Sequence, residues 1–121
     1  DADQMKAVII LNDAPYGSER TYNGLRLAHS LHKQDPEGEV TVFLMADAVT
    51  AAKSGQSVPA GFYNVEHMIG RVMSSGGKVL LCGTCMNARG LLDDELIAGA
   101  ARGSMDDLGK ASLLADKLIV F

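Results

Sequence analysis

The sequence predicts an α/β fold, a three-layer α/β/α sandwich around a mainly parallel, five-stranded sheet. Short apolar, β-branched runs alternate with helix-like segments along the whole chain. These runs are apolar on consecutive residues, which is typical of strands buried on both faces of a parallel sheet. The length of 121 residues is sufficient for one domain with its own core. We expect that domain at residues 5–121, with residues 1–4 as an N-terminal lead or tag remnant.

The first two strands flank a predicted helix. The apolar run at residues 5–11 (MKAVIIL) is the first strand, and a turn rich in breaker residues follows it. Ser18 is the expected cap of a helix that runs to about Lys33, with Glu19 in its first turn. The second strand is predicted at residues 40–45 (VTVFLM).

A short helix, a long loop and a second long helix come next. Asp47 is the expected cap of the short helix, which runs through Ala52. Residues 54–63 are rich in glycine, serine and proline, and they predict an irregular loop of the kind that is often functional. Asn64 is the expected first residue of a helix that continues to about Ser75.

The second half of the chain continues the alternation of strands and helices. The remaining strands are predicted at residues 79–82, 101–104 and 117–121. The remaining helices are predicted near residues 84–89, 95–100 and 104–116. Asp93 is the expected cap of the helix at 95–100, and Ser104 with Asp107 resembles a capping box for the last helix.

Charge and hydropathy exclude several classes of function. The formal net charge is −4 and no long basic run is present, which argues against nucleic acid as the main partner. No apolar run approaches the roughly 18 residues that a membrane span needs, so no membrane association is expected. The start of the chain lacks the pattern of a secretory signal, and a close cysteine pair then suggests a reducing compartment. We therefore expect a cytoplasmic protein.

Both cysteines of the chain lie in one segment, residues 78–92 (KVLLCGTCMNARGLL). Cys82 falls where the third strand should end, and Cys85 follows three residues later. Ligands bind at the carboxyl ends of strands in open α/β sheets, and a helix start there favours negative charge. A thiolate is the reactive form of cysteine, so a working thiol at this position is expected to have a lowered pKa.

Five further residues are candidates for the same site. The small residues Gly83 and Thr84 would let the backbone approach an anion, and Arg89 would add positive charge one helical turn beyond the second cysteine. Asn12 and Tyr16 follow the first strand and could line the same pocket. Their alternative interpretation is ordinary turn chemistry.

Other interpretations of the cysteine pair remain open. Two inert, buried cysteines are the simplest alternative. A structural zinc site needs about four ligands, and the three histidines are poorly placed to supply them, so we expect no metal and no cofactor. A thioredoxin-type oxidoreductase would place its cysteine pair after the first strand of a βαβ unit rather than after the third.

Five blocks, taken in order, resemble the DsrE/DsrF-like family, most closely its YchN-like branch, from Met5 to the end of the chain. The blocks are APYGSE (14–19), LRLA (25–28), FLMADAVTA (43–51), LCGTCMNARG (81–90) and ADKLIVF (115–121). The resemblance implies a flavodoxin-like domain that assembles into trimers or hexamers. It also implies kinship with sulfur-relay proteins, which hold sulfur as a cysteine persulfide and pass it to a partner's thiol. The working cysteine of those proteins corresponds to Cys82, and Cys85 to the second cysteine of the YchN-like branch.

The leading hypothesis is a cytoplasmic sulfur-transfer or persulfide-carrier protein, a candidate sulfurtransferase, whose partners are sulfur donor and acceptor proteins. Cys82 would be the sulfur-bearing nucleophile, and Cys85 an auxiliary or resolving thiol. One alternative is a thiol–disulfide redox protein that uses the same pair. The other is a non-catalytic, oligomeric module that binds a small ligand or a partner at the edge of the sheet.

Overall fold

Five strands form the central sheet of the computed structural model, which describes residues 4–121. The strands are β1 (Lys6–Leu11), β2 (Glu39–Leu44), β3 (Lys78–Cys82), β4 (Ala101–Gly103) and β5 (Lys117–Val120). Every neighbouring pair is parallel, and the order across the sheet is β4-β3-β2-β1-β5. The expected N-terminal lead lies outside the described residues except for Gln4.

Four α-helices connect the strands, together with two 3-10 segments at Ala46–Ala52 and Asp93–Glu95. The helices are α1 (Arg20–Gln34), α2 (Val65–Ser74), α3 (Gly83–Ala88) and α4 (Met105–Leu114). None of the helices in residues 4–121 combines the length and the apolar character needed to cross a bilayer. The predicted α/β class with a parallel five-stranded sheet is confirmed. The strand order differs from the 2-1-3-4-5 order of flavodoxin itself, because β1 to β4 lie in sequence order and β5 returns to the free edge of β1.

The two faces of the sheet bury cores of very different size. Successive side chains on a strand point to opposite faces. Ile9, Val42 and Leu81 therefore share one face, where they join a large core with residues of α1 and α2. The opposite face holds a small core in which Val8 and Phe43 pack against Leu108 of α4. Within residues 4–121, α4 is the only helix that covers this second face of the sheet.

Three predicted helix caps, at Ser18, Asp47 and Asp93, are wrong, and one, at Ser104, is confirmed. α1 begins at Arg20 with Glu19 in the N-cap position; the Ser18 hydroxyl donates to the Asp13 carboxylate at 2.7 Å and accepts from the Arg20 backbone N–H only at 3.4 Å. Met45, not Asp47, precedes the 3-10 segment at Ala46–Ala52. The confirmed cap is Ser104, which forms a capping box with Asp107. Asn64, predicted as the first residue of α2, is its N-cap, and its side chain accepts from the backbone N–H of His67.

The helix predicted at residues 95–100 is also wrong. A single 3-10 turn at Asp93–Glu95 replaces it, and the chain then becomes extended. Leu96 forms an antiparallel bridge with Lys53, and the backbone N–H of Ile97 donates to the Ala52 carbonyl at 2.8 Å. These long-range backbone bonds use donors and acceptors that a helix would have satisfied internally, so the segment follows the neighbouring chain instead.

Candidate functional site

The two cysteines lie where β3 passes directly into α3. Cys82 is both the last residue of β3 and the N-cap of the helix, and its Sγ accepts a hydrogen bond from the backbone N–H of Cys85 at 3.2 Å. The Sγ of Cys85 accepts from the backbone N–H of Ala46 at 3.3 Å. Both thiols are free and half-buried. Each sulfur atom therefore faces one amide donor at the carboxyl edge of the sheet.

The amide that reaches Cys85 comes from a strained residue. Ala46 has φ of +50°, and no other non-glycine residue within 4–121 has a positive φ. A left-handed conformation costs a non-glycine residue roughly 1–2 kcal/mol. The strain lies directly after β2, where the turn into the 3-10 segment directs the Ala46 N–H toward the neighbouring strand's thiol. Strained backbone persists where the surrounding structure holds it, often at functional sites.

Burial raises the pKa of the Cys82 thiol above its ordinary value. The Cys85 side chain raises the pKa further through its hydrogen bond and its charge, while the backbone N–H groups of Cys85 and Thr84 act in the opposite direction. The expectation of a lowered pKa is therefore wrong for Cys82. The amides are present as predicted, but desolvation and a second thiol outweigh them.

Alkylation kinetics should report this raised pKa. The reaction of iodoacetamide with Cys82, followed by peptide mass spectrometry, is expected to accelerate with pH through and beyond about 8.5, the ordinary thiol value. The rate follows the thiolate fraction, because only the thiolate reacts with the reagent. A raised pKa moves the formation of the thiolate to higher pH. In a Cys85→Ala variant the backbone amide stays and the two raising influences of the side chain are lost, so the midpoint should move to lower pH. A plateau below pH 8 in the parent would contradict the assignment.

The remaining predicted residues of the segment divide into two groups. Gly83 and Thr84 line the same cavity as both cysteines. Arg89 lies at the end of α3, where its side chain donates to Asp47 Oδ1 at 2.8 and 3.0 Å and to the Cys85 carbonyl at 3.0 Å. Its donors thus reach a carboxylate and a carbonyl rather than either sulfur. Arg89 ties α3 to the 3-10 segment, and the ion pair compensates much of its charge.

Asn12 and Tyr16 do not line the cysteine cavity, so that prediction is wrong. The Asn12 amide donates to the Phe121 carbonyl at 3.0 Å, on the far side of β1. The Tyr16 hydroxyl accepts from the backbone N–H of Val65 at 3.1 Å, and its ring packs on Tyr63 with the centroids 5.4 Å apart. The reason is topological, because β2 separates β1 from β3 in the sheet.

Sequence reasoning missed Arg102 of β4. Its Nη1 donates to the Gly83 carbonyl at 3.0 Å and to Asn87 Oδ1 at 3.1 Å, and its guanidinium pairs with Asp93 at 2.8 Å. Arg102 thereby fastens both ends of α3 to the edge strand. The sequence holds only a weak signal for this residue. Arg102 adjoins the thiols because β3 pairs with β4, where Cys82 lies opposite Gly103.

A cavity of about 580 Å³ opens beside the two thiols, between α3 and the junction of β4 with α4. Its lining is more apolar than polar and consists of Met45, Cys82, Gly83, Thr84, Cys85, Asn87, Arg102, Gly103, Ser104 and Met105. The arrangement places a sulfur nucleophile at the wall of a small open pocket. Attack by one of these thiols on an atom of a ligand, or of a partner's side chain, is therefore geometrically feasible.

A family model described as the DsrE/DsrF-like family matches residues 5–121. The chain belongs to the DsrE/DsrF-like family. That family is associated with sulfur relay. Its model covers β1 to β5 completely, so the thiol pair and the cavity both lie within the matched region.

Relatives of known sequence and structure agree with this membership. Protein YchN of Escherichia coli is 41% identical over 116 residues, which is 96% of this chain and 98% of YchN. An uncharacterized protein of Methanocaldococcus jannaschii, MJ0989, is 35% identical over 97% of this chain and 100% of its own. The crystal structure of YchN superposes with a TM-score of 0.93 over 98% of this chain and 100% of that one. MTH1491 of Methanobacterium thermoautotrophicum, 13% identical, has the same fold with a TM-score of 0.78 over 98% and 100% of the two chains.

Proposed function

We propose that the protein carries sulfur as a persulfide on Cys82 and transfers it between the thiols of donor and acceptor proteins. The observation that supports this most is the geometry of the pair, in which each sulfur accepts an amide hydrogen bond beside an open cavity. Membership in a family associated with sulfur relay supports the same chemistry. Two free thiols also suit a reducing compartment, so we place the protein in the cytoplasm.

Loading and unloading are two sulfur transfers without net oxidation. The Cys82 thiolate attacks the outer sulfur of a donor persulfide, so a new S–S bond forms at Cys82. The donor's S–S bond breaks and the donor leaves as a thiolate, which takes up a proton. In the second transfer an acceptor thiolate attacks the outer sulfur, and Cys82 is released as the leaving thiolate. A persulfide is more acidic than the thiol from which it forms, so the loaded site holds an anion more readily than the resting one.

The amide donors fit a role in both transfers. Cys82 Sγ is the leaving group during unloading, and the Cys85 N–H at 3.2 Å stabilises negative charge on it. Thr84 contributes a second backbone N–H that favours the ionised form. The raised pKa of the resting thiol is consistent with a protein that awaits its donor as a thiol and ionises within the complex.

A thiol–disulfide protein is the second candidate, because the two free thiols line the same cavity and Cys82 Sγ lies 3.2 Å from the backbone nitrogen of Cys85. Cys85 could attack the inner sulfur of a Cys82 persulfide, expel hydrosulfide and leave a Cys82–Cys85 disulfide. A dithiol reductant would then have to restore the pair with two electrons. Titration of the pair against glutathione buffers measures whether such a disulfide forms at a cellular potential.

Assembly into a homo-oligomer, a trimer or a hexamer, is part of the proposal. Five apolar side chains on α4 and β5 are more than half exposed in the single chain: Met105, Leu113, Leu114, Leu118 and Val120. Exposed apolar patches of this kind are typical of protein–protein contact surfaces. Among the strands of residues 4–121, β5 pairs only with β1, and its outer edge has no partner strand there. Light scattering on the purified protein gives the number of chains directly.

Mass spectrometry after incubation with a persulfide donor tests the sulfur-carrier role. The parent should gain one sulfur atom on the peptide that contains Cys82, and a thiol acceptor should remove it. Cys82→Ser should abolish the gain, whereas Cys85→Ser should retain it at a changed rate. If all three proteins gain sulfur equally, or none does, the carrier role is wrong. Unchanged partner binding by a double serine variant would then favour the non-catalytic module.

A further inference from the structure

The cavity beside Cys82 has an electrostatic character that bears on what enters it. Its only charged lining residue is Arg102, and three acceptors already engage that guanidinium. They are the Gly83 carbonyl, the Asn87 side chain and the Asp93 carboxylate, all within 3.1 Å. An anion in the cavity would have to compete with these partners, so Arg102 offers it little net attraction.

The start of α4 is likewise occupied by the protein's own groups. The Asp107 carboxylate accepts from the backbone N–H of Ser104 at 2.8 Å and from its hydroxyl at 3.0 Å. The Ser104 hydroxyl in turn accepts from the Asp107 N–H at 3.1 Å. The capping box thus uses two backbone N–H groups at the helix start, those of Ser104 and Asp107, which could otherwise face an anion. It also brings a carboxylate, whose pKa these hydrogen bonds lower, to the rim formed by Ser104.

Two thioether side chains contribute to the apolar part of the wall. Met45 follows β2, and Met105, which is 63% exposed, begins α4. Methionine is unbranched and polarizable, so it adapts to apolar surfaces of varied shape and recurs in binding sites for apolar protein segments. These side chains line the same cavity as the thiols and favour a ligand with apolar atoms around its reactive sulfur.

We infer that during loading the cavity selects the protonated, uncharged persulfide of a donor, presented on an apolar segment of that partner protein, and that it discriminates against small free anions such as thiosulfate. The inference rests on the proposed function for the identity of the reacting group. Its electrostatic part is independent, because it concerns what can reach the Cys82 sulfur whatever reaction follows. All three features of the cavity disfavour an anion near Cys82: the engaged Arg102 guanidinium, the Asp107 carboxylate at the rim and the two methionine side chains.

A pair of alkylating agents that differ only in charge tests the electrostatic part. Iodoacetamide is neutral and iodoacetate is an anion, and both deliver the same kind of carbon to the same thiol. Peptide mass spectrometry gives the ratio of their rates at Cys82, first in the folded protein and then in the same protein unfolded in urea. We expect the ratio in the folded protein to favour the neutral reagent at least about tenfold more, or about 1.4 kcal/mol. An equal or smaller ratio in the folded protein overturns the inference.

Two matched variants locate the origin of the discrimination. Asp93→Asn removes the carboxylate that neutralises Arg102 and should move the ratio toward the unfolded value. Asp94→Asn makes the same charge change one residue away and should leave the ratio unchanged. Asp94 is exposed, and within residues 4–121 it takes part in no side-chain hydrogen bond or ion pair. Equal effects of the two substitutions would show a general charge effect and overturn the assignment to the cavity.

Persulfides of two short peptides test the partner chemistry. One peptide carries its cysteine between leucines and the other carries it between glutamates. The apolar peptide should load Cys82 at least about tenfold faster. If both peptides load equally, the selectivity is wrong although the carrier role holds. If neither loads Cys82 while the two alkylating agents still differ as expected, the carrier role is wrong and the cavity's preference for neutral ligands stands.

Discussion

Replacing Phe43 by alanine is expected to lower the free energy of unfolding by about 3–5 kcal/mol. Phe43 is completely buried on β2, where it is the largest side chain of the small core that Val8 and Leu108 complete. Only α4 covers that face within the described residues, so few other side chains can move into the space left behind. The loss is a large fraction of the roughly 5–15 kcal/mol that stabilises a typical domain. Urea unfolding followed by circular dichroism measures it.

Phe62→Ala provides the control, because it removes the same atoms from an exposed site. Half of the Phe62 side chain is accessible, and its ring stacks on Tyr63 with the centroids 4.6 Å apart. An aromatic pair of this kind contributes about 0.5–1.5 kcal/mol. The two substitutions should therefore differ by at least about 1.5 kcal/mol. A similar loss in both would mean that the small core contributes no more than a surface contact.

Gly83→Val is expected to disturb both stability and thiol reactivity. A Cβ at this position would lie 3.0 Å from Arg102 Nη1 and 3.2 Å from the Gly103 carbonyl, and both are tighter than ordinary contacts. Relief requires Arg102 to leave the Gly83 carbonyl or α3 to move away from β4. Overpacking of this kind costs about 1–3 kcal/mol. Because α3 carries the Cys85 N–H toward Cys82, the alkylation rate of Cys82 should also change.

The matched control is Gly109→Val on α4. A Cβ there would have no heavy atom within 4 Å, and the residue is exposed in the middle of its helix. Its effect on stability should stay within about 0.5 kcal/mol, and the reactivity of Cys82 should be that of the parent. If the Gly83 variant alkylates at the parent rate with unchanged stability, then Arg102 does not hold α3 in place.

Patterns among residues close in sequence predict several elements of the fold and the position of the cysteine pair. The apolar run of β1 and the cap at Ser104 depend on neighbours in sequence, and both are found as predicted. The start of α2 is found one residue after the predicted Asn64. The cysteine pair at the β3–α3 junction is also found there, since a strand end followed by small residues and a helix is a local pattern.

The errors arise where distant parts of the chain decide the outcome. Ser18 binds Asp13 instead of capping α1, and Leu96 bridges to Lys53 instead of continuing a helix. The direction of the Cys82 pKa shift depends on how deeply the sulfur is buried, which hydropathy does not give. Arg102 becomes part of the site only through the pairing of β4 with β3. In each case the competing partner lies on another element of the fold.

The single-sided attachment of β5 has a consequence for the dynamics of the native state. Within residues 4–121, β5 bonds only to β1, whose partner residues lie about 110 positions earlier, and α4, the helix that leads into β5, packs on the small core of Val8 and Phe43. The unit formed by α4 and β5 can detach from the sheet by local opening without unfolding of the larger core. Its amides should therefore be among the first to exchange with deuterated solvent. The opened form would bare the outer edge of β1 together with Val8 and Phe43. Another copy's β5 could then pair there, which makes strand exchange the expected hazard of storage at high concentration.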